Sequence, residues 1–534
     1  MNIAIAQLNY HIGNFEKNTE KIISAIQRAK QNKVDLIVFS ELCVCGYPPM
    51  DLLQQSDFIE KCNDSAYTIA QECDGIAAII GCPTINNNDN EKPLYNSALF
   101  LHNKRIANVF HKTLLPSYDI YDEQRYFEQN KTFELLEFKG KKIAITICED
   151  IWSINTTHAP MQEFLKHTPE MIINIAAVPF AHNQEYINLQ ISQQFSLPII
   201  YVNQVGANAE IIFEGASKVL NAEGKIVCEL QKFSEDFATI NTEVDFLKQG
   251  DVASPYNKIE TIHNALIFGI SDFFAKNNFT TATLGLSGGI DSAVALVLLT
   301  KAIGSKNIRV LLMPSQFSPE HSIADAKQLA ENLGVQYDIV PISPIFTSFR
   351  QSLHPLFGDL PFSVTEENIQ ARIRGLLLMA VSNTFGNVVI NTSNKSEIAI
   401  GYSTMYGDMN GSISILGDVY KTDVFALAEY INTQKEIIPK NTITKAPSAE
   451  LRPDQKDSDT LPDYEILDAI LFQHIEQNRS LNEITLQGFD SQTVIEILTR
   501  IKQSEYKRFQ TPPILRVSSK SFGSGRRIPL VTKY

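Results

Sequence analysis

The stretch Leu284 to Ala293, reading LGLSGGIDSA, constrains this chain more than any other. It follows the β-prone Thr280 to Thr283 and runs into the apolar Val294 to Leu299, so the order is strand, glycine-rich turn, helix start. Such a turn holds anions. Gly288 and Gly289 let the backbone approach a ligand with no Cβ in the way, N–H groups point inward, and the helix dipole adds partial positive charge. Ser287 and Ser292 supply hydroxyl donors, and Asp291 is placed to hold Mg²⁺ beside phosphates. Gly285-Leu286-Ser287-Gly288-Gly289 also fits the G-x-S-x-G nucleophile elbow of α/β-hydrolases, and a turn without chemistry is a third reading. A Walker A loop is excluded, because no Gly-Lys-Ser/Thr follows at the required spacing.

The run from Ser287 through Gly288, Gly289, Ile290 and Asp291 to Ser292 resembles the pyrophosphate-binding loop of N-type ATP pyrophosphatases. Those enzymes cut ATP between the α and β phosphates to adenylylate a substrate. A hydrolase elbow has no need of the adjacent Asp291 and Ser292, which favours the phosphate loop.

With 534 residues, the chain has room for two or three domains, each burying its own core. Hydrophobic residues at 44% and charged ones at 20% fit a globular enzyme, and no apolar run approaches the roughly 18 residues of a membrane span. The start MNIAIAQLNY has no basic region followed by a long apolar one, so a secretory signal is not expected and the cytoplasm is. Seven cysteines without a C-x-x-C pair argue against zinc and disulfide chemistry. A formal net charge of −14 argues against nucleic acid as a partner. From Arg500 to Tyr534, nine Lys/Arg face only Glu505, a basic tail suited to a phosphorylated ligand, an acidic partner or solvent.

The first half alternates β-rich runs (Asn2 to Gln7, Asp35 to Phe39, Ile76 to Ile80, Ser97 to Leu101, Ile143 to Ile147, Met171 to Ile175) with helical spacing at Asn18 to Ala29 and Glu185 to Phe195. This predicts an α/β layered domain. Glu41, Lys112 and Cys148 each lie just past the end of one such run, where α/β proteins gather active-site groups. Each alone reads as a surface acid, a solvated base or a buried thiol. Together they make a workable set for acyl transfer: Cys148 attacks an amide carbon, Glu41 takes and returns the proton, and Lys112 supports the oxyanion. The blocks FSELCVCGYPPMDLL, HKTLLPSYDIYDEQRYF and ITICEDIW resemble the three catalytic blocks of the nitrilase superfamily. That resemblance implies an α-β-β-α sandwich with a Glu41, Lys112, Cys148 triad. It also makes Glu123 a further acid near the triad and Tyr118 a residue of the glutamine pocket.

The linker is expected at Gly250 to Ile262, giving domains of 1–251 and 263–534 with 252–262 between. Beyond it an amphipathic helix over Asn264 to Lys276 is predicted, followed by strands at Ile308 to Met313, Tyr337 to Val340 and Val388 to Asn391. These alternate with helices at Glu320 to Asn332 and Glu366 to Asn383, which predicts a doubly wound parallel sheet with the glycine loop at the carboxyl end of its first strand. Distal blocks add polar residues: Asn368, Arg372 and Arg374 near one helical turn, then Thr392, Lys395, Glu397, Thr404 and Asp408, then Lys421, Lys445, Ser448 and Lys507. Glu397 could complete a Mg²⁺ site with Asp291.

The order SGGIDS, ENIQARIRG, NKSE with GYSTMYGD, PSAELRPDQ and EYKRFQ resembles the NAD⁺ synthetase family and, with the amidase half, its glutamine-dependent branch over nearly the whole chain. The resemblance implies that ATP adenylylates deamido-NAD⁺ and that ammonia from glutamine displaces AMP. It implies ATP at Gly285, Leu286, Ser287, Gly288, Gly289, Ile290, Asp291, Ser292 and Thr392, with Lys421 and Ser448 near the phosphates. It further implies deamido-NAD⁺ at Asn368, Arg372, Glu397, Asp408 and Lys507, Mg²⁺ at Asp291 and Glu397, no nucleic-acid or membrane partner, and a large homo-oligomer, an octamer in some members. The chain departs from the family pattern at Ala176, Val178 and Ala209, where polar residues are usual, leaving the glutamine α-amino and carboxylate groups fewer partners. An amidase fused to a ligase for another carboxylate, and a non-catalytic nucleotide sensor, are the rival readings.

Overall fold

The computed structural model describes residues 1–152, 159–182, 195–250 and 256–532. Most of the helix expected over 185–195, part of the expected linker and Lys533 lie outside them. The chain forms two compact units, Met1–Tyr256 and Asn257–Tyr534.

In the first unit, strands β1 (Asn2–Gln7), β2 (Leu36–Val38), β3 (Ala77–Ile85), β4 (Leu94–His102) and β5 (Arg105–His111) precede β6 (Leu136–Phe138), β7 (Lys141–Ile147) and β8 (Met171–Ala176). After them come β9 (Ile199–Asn203), β10 (Val205–Asn208), β11 (Ile211–Glu214), β12 (Lys218–Leu220), β13 (Ile226–Glu229) and β14 (Asp236–Asn241). Two six-stranded sheets result, ordered β14-β1-β2-β3-β4-β5 and β13-β12-β9-β8-β7-β6. Their centres are parallel and their edges antiparallel. The period-two pattern of β1 explains the layering. Ile3 and Ile5 join a core shared with Ile143, Ile145, Ile172 and Ile200 of the other sheet. Ala4 and Ala6 face the opposite way, into a core with helices α1 (Phe15–Gln31) and α2 (Ser56–Gln71). Helix α1 starts where the Asn14 side chain accepts from the Lys17 N–H, and it buries Asn18, Ile22, Ala25, Ile26 and Ala29, one face at helical spacing. A shorter helix, α3 (Pro160–Lys166), adds Met161 and Phe164 to the core between the sheets.

Strands β6 and β9 to β14 go beyond the expected set.

The second unit opens with α4 (Lys258–Lys276), which starts earlier than predicted, inside the expected linker, where the Asn257 side chain caps it by accepting from the Glu260 N–H. Strand β15 (Ala282–Gly285) then leads into α5 (Ile290–Ile303). Residues Val294 to Leu299 are all 0% exposed, so α5 is apolar all round and runs through the core. Next come β16 (Ile308–Leu312), α6 (Glu320–Leu333), β17 (Gln336–Ile339), α7 (Ser343–Phe357) and α8 (Val364–Phe385). They are followed by β18 (Val388–Asn391), α9 (Lys395–Ile400), β19 (Ile413–Ser414) and α10 (Lys421–Ile431). The five strands are all parallel, ordered β17-β16-β15-β18-β19. From β15 the chain builds outward through β16 and β17, then returns to build β18 and β19 on the other side. That reversal opens a crevice at the carboxyl ends of β15 and β18.

Two glycines are fixed by close approach. A Cβ on Gly288, whose φ is +81°, would lie 2.2 Å from the Ser322 carbonyl oxygen, so the loop packs directly on the first turn of α6. A Cβ on Gly81 in β3 would lie 2.2 Å from the Leu42 nitrogen and 2.7 Å from the Glu41 carbonyl carbon. Gly81→Ala is therefore expected to destabilise the protein by about 1–3 kcal/mol through overpacking, and to displace Glu41 with it. Denaturant unfolding measures the first effect, and a variant as stable as the parent would show that the Glu41 turn yields freely.

Candidate functional site

In the first unit, Glu41, Lys112 and Cys148 follow β2, β5 and β7 and are all essentially buried. The Lys112 Nζ donates to Glu41 Oε1 at 2.7 Å and to Glu123 at 2.9 Å. Burial alone would lower the amine's pKa, but the Glu123 and Glu41 charges more than offset it and hold the pKa well above the usual lysine range. One cation serves two acids. Burial, opposed by Lys112 but reinforced by the nearby Glu41 charge, raises Glu123 to about 7. Cys148 sits with φ +48° at the turn leaving β7, a left-handed conformation that a non-glycine residue adopts only when its surroundings enforce it. Its thiol pKa is raised by burial and by the Glu41 charge, partly countered by Lys112, so in the free protein it is a thiol.

Further residues support these groups, and Asn96, Tyr47 and Asp150 among them escaped the sequence reading. Asn96 in β4 donates through Nδ2 to Glu41 Oε1 at 2.7 Å, and the Ala177 N–H donates to Glu41 Oε2 at 3.0 Å, so both carboxylate oxygens are held. Tyr47 donates its hydroxyl proton to Glu123 at 2.8 Å. Asp150 accepts from the N–H groups of Thr113 at 3.0 Å, Leu114 at 2.7 Å and Ile147 at 3.3 Å, tying the segment after Lys112 to the Cys148 turn. Its position two residues after Cys148 was the available signal. Asn174 donates to the Cys148 carbonyl at 3.3 Å. Tyr118 is exposed and donates to Glu149 at 2.6 Å, next to the thiol.

In the second unit a cleft of about 670 Å³ opens at the crevice. Gly285, Leu286, Ser287, Gly289, Ile290, Asp291 and Ser292 line it, with Asn368, Arg372, Thr392, Glu397, Asp408, Lys421, Ser448 and Lys507. Of the second-unit residues assigned above to ATP, deamido-NAD⁺ or Mg²⁺, only Gly288 does not; its role is the packing on α6. The loop is held by its own serines: Ser287 Oγ and Ser292 Oγ lie 3.1 Å apart, and the Gly289 N–H donates to Ser287 Oγ at 3.1 Å. No histidine lines the cleft among the described residues, so the hydrolase-elbow reading lacks its base.

Lys421 joins the two predicted metal ligands, with Nζ 2.5 Å from Asp291 and 3.4 Å from Glu397. Asn394 donates to the other Asp291 oxygen at 2.9 Å. Burial and the Asp291 charge raise Glu397 to about 8, and burial raises Asp408 to about 6. Lys507, its pKa lowered by burial, donates to the Gly401 and Ser403 carbonyls at 2.7 Å each. Asn368 accepts from Thr404 at 2.8 Å, and Arg372 donates to the Met405 carbonyl at 3.2 Å, joining α8 to the segment after α9. Ser448 donates to the Gln455 carbonyl at 2.6 Å and shapes its own loop. Asp457, which binds the hydroxyl of Tyr464 at 2.9 Å, and Lys445, 2.9 Å from Ser322, also line the cleft.

Two expectations are corrected. Lys395 does not face the cleft: it is fully buried, bonded to Asp418 at 2.9 Å, Glu476 at 2.8 Å and Ser518 at 2.7 Å. The basic tail is divided: Lys507 lines the cleft, Lys502 and Arg527 are exposed, and three arginines are used inside the protein. Arg508 and Arg526 both pair with Glu505 at 2.7 Å, and Arg516 donates to the Ser518 and Ser519 carbonyls.

A carboxyl raised from 4.5 to about 8 stays protonated in the folded state while the unfolded chain ionises. Its contribution to stability is thus lost as pH rises between those values. Glu397→Gln, which removes that ionisation, is expected to raise the melting temperature of the ligand-free protein by about 2–4 °C at pH 8, with little change at pH 5. Equal shifts at both pH values in calorimetry would contradict this.

The carbon-nitrogen hydrolase family model matches residues 2–252, and the NAD synthase model matches 262–511. The glutamine-dependent NAD(+) synthetase of Synechocystis sp. is 40% identical over 100% of this chain and 99% of its own length. That of Acinetobacter baylyi is 40% identical over 99% and 98%. The solved structure of the Acinetobacter baumannii glutamine-dependent NAD⁺ synthetase in complex with ADP superposes with a TM-score of 0.79, at 36% identity over 99% of this chain and 98% of that one. A Cytophaga hutchinsonii synthetase, 20% identical over 100% and 98%, shares the fold with a TM-score of 0.84.

Proposed function

The chain belongs to the glutamine-dependent NAD⁺ synthetases, and from that premise we propose how its two sites divide the work. The protein is a carbon-nitrogen ligase that amidates deamido-NAD⁺ to NAD⁺ at the expense of ATP, with glutamine as nitrogen donor. The unit Met1–Tyr256 is the glutaminase and Asn257–Tyr534 the synthetase. The single observation that carries this reading is the pairing, in one chain, of the buried Glu41, Lys112, Glu123 cluster beside Cys148 with a glycine-loop cleft lined by Asp291, Glu397 and Lys421.

At the first site Glu41 takes the thiol proton as Cys148 attacks the glutamine carboxamide. Burial disfavours a standing thiolate, so the nucleophile forms only with a substrate in place. Lys112 offsets the charge that develops on the carbonyl oxygen. Tyr118 and Glu123 border the glutamine pocket, and Ala176, Val178 and Ala209 leave recognition of its α-amino and carboxylate groups to other residues. Ammonia released here is the nucleophile of the second reaction.

At the second site the loop N–H groups hold the ATP phosphates, while Asn368, Arg372, Asp408 and Lys507 hold deamido-NAD⁺. The adenylylated carboxyl then has AMP as a good leaving group. Carboxylates and cations lining the cleft are equal in number, so a bound polyphosphate needs added positive charge. Asp291 and Glu397 are oxygen donors of the type Mg²⁺ takes alongside phosphate oxygens, and they fit that ion. When bound, Mg²⁺ would neutralise the charge on the departing pyrophosphate. Lys421 bridges the two carboxylates and reaches the phosphates.

We read the enzyme as cytoplasmic, and among the described residues no helix is long and apolar enough to cross a membrane. We also read it as a homo-oligomer. Phe349 and Leu356 on α7, with Leu376 and Met379 on α8, are large apolar side chains left exposed, of the kind a second copy would cover.

Cys148→Ala is expected to lose glutamine-dependent synthesis by at least about 10³-fold while keeping ammonium-dependent synthesis within a few-fold. The rescue should strengthen as pH rises and more free NH₃ is present. Steady-state NAD⁺ formation with each nitrogen source measures both, and a folded variant dead with ammonium at every pH would refute the division of labour. Asp291→Asn is expected to lose about 10²–10³ in rate with either nitrogen source and still to hydrolyse glutamine. Near-normal synthesis with ammonium would remove Asp291 from the ATP site.

A further inference from the structure

Away from both sites, in the last turn of α5, the Lys301 Nζ lies 2.9 Å from Nε2 of His263 on α4. His263 is buried, its Nδ1 is 2.9 Å from the Asn264 side-chain oxygen, and Tyr430 meets its ring edge-on at 5.2 Å. An amide oxygen only accepts, so Nδ1 carries the imidazole proton and Nε2 offers its lone pair to Lys301. The exposed amine is therefore a donor to a neutral base. Other lysines of this chain answer a carboxylate, as Lys21 does Glu235 at 2.6 Å and Lys141 does Glu170 at 2.8 Å. A carboxylate favours the ammonium form, which has no lone pair for attack. Burial lowers the pKa of both Lys301 and His263, and the Lys301 charge adds to the lowering at His263. The Asn264 hydrogen bond and, more weakly, Glu260 act on His263 in the opposite sense.

We propose that Lys301 is an acylation site, taking small activated acyl groups from acyl phosphates or acyl thioesters with His263 as its built-in base. The Nζ lone pair attacks the acyl carbon, and the carbon-oxygen or carbon-sulfur bond breaks, so that phosphate or thiolate leaves with the electron pair. The proton shed by the nitrogen passes to Nε2 of His263 and then to water. The amide formed keeps one N–H, which can donate to the same Nε2, so the product retains the hydrogen bond of the reactant.

The test is peptide mass spectrometry of the full-length protein during incubation at pH 7.5 with acetyl phosphate, and separately with acetyl-CoA. Lys61 and Lys327, exposed and facing Asp57 at 3.9 Å and Glu331 at 3.8 Å, are the internal references. Lys301 is expected to acquire acetyl at least about fivefold faster than either, since burial and the neutral imidazole partner leave more of it as free amine than a carboxylate partner does. Reaction with one donor alone identifies that donor as the source. His263→Gln should bring Lys301 down to the reference rate. Should that buried substitution unfold α4, Asn264→Ala at the exposed neighbouring position should lower the ratio by releasing the tautomer. A Lys301 rate no greater than the references with both donors overturns the proposal, as does a ratio unchanged in the folded variants.

Discussion

A lysine ammonium buried between two carboxylates recurs in this protein, and its consequences differ with what else reaches the charges. Lys112 lies between Glu41 and Glu123, Lys421 between Asp291 and Glu397, and Lys395 between Asp418 and Glu476. Two acids around one base leave a buried unit of negative charge, which is unfavourable unless a proton or further donors answer it. Around Lys395 donors answer it: Ser518 and the backbone N–H groups of Val517 and Ser518 bond Asp418, whose pKa stays low. That set ties α9 to the C-terminal segment and has no capacity left for a ligand. At the other two, Glu123 rises to about 7 and Glu397 to about 8. Electrostatic demand is left unmet at the two sites proposed for substrates.

Sheet geometry explains why these groups converge. In the first unit β2 and β7 deliver Glu41 and Cys148 from their carboxyl ends, and β5 delivers Lys112, although the residues are far apart in sequence. Asp150 then fixes their mutual position through backbone N–H groups from both segments, which needs no further side chain. In the second unit the reversal of strand order around β15 makes the crevice, and α5 points its N-terminus into it. The same apolar sequence that buries α5 on every side holds that N-terminus still, so the helix dipole is aimed by core packing.

The paired carboxylates set a tension between stability and function. A ligand-free cleft that holds Asp291, Glu397 and Asp457 near one another is electrostatically costly, a cost that a bound cation would offset. Cys148 shows the same economy in another form: burial keeps it a thiol, and a left-handed backbone keeps it presented.

The sequence by itself determined the local elements and the chemical inventory. Period-two and helical spacing marked β1, β7, β8, α1 and α6, and the glycine turn before an apolar helix marked the phosphate loop, because these are properties of neighbouring residues. Glu41, Lys112 and Cys148 were legible as residues following strands, and Asp291, Glu397 and Lys421 as members of polar blocks. Tertiary structure alone decided which charges meet. Lys395 and Lys421 read alike in sequence, but one is locked among Asp418, Glu476 and Ser518 and the other faces the cleft. Asn96 and Tyr47 carried no sequence signal strong enough to single them out, since their roles rest on partners 55 and 76 positions away. Within the basic tail only folding separated Arg508 and Arg526, which pair with Glu505, from Lys507, which lines the cleft. Charge and spacing are written along the chain, whereas burial and pairing depend on distances that exist only once the sheets have closed.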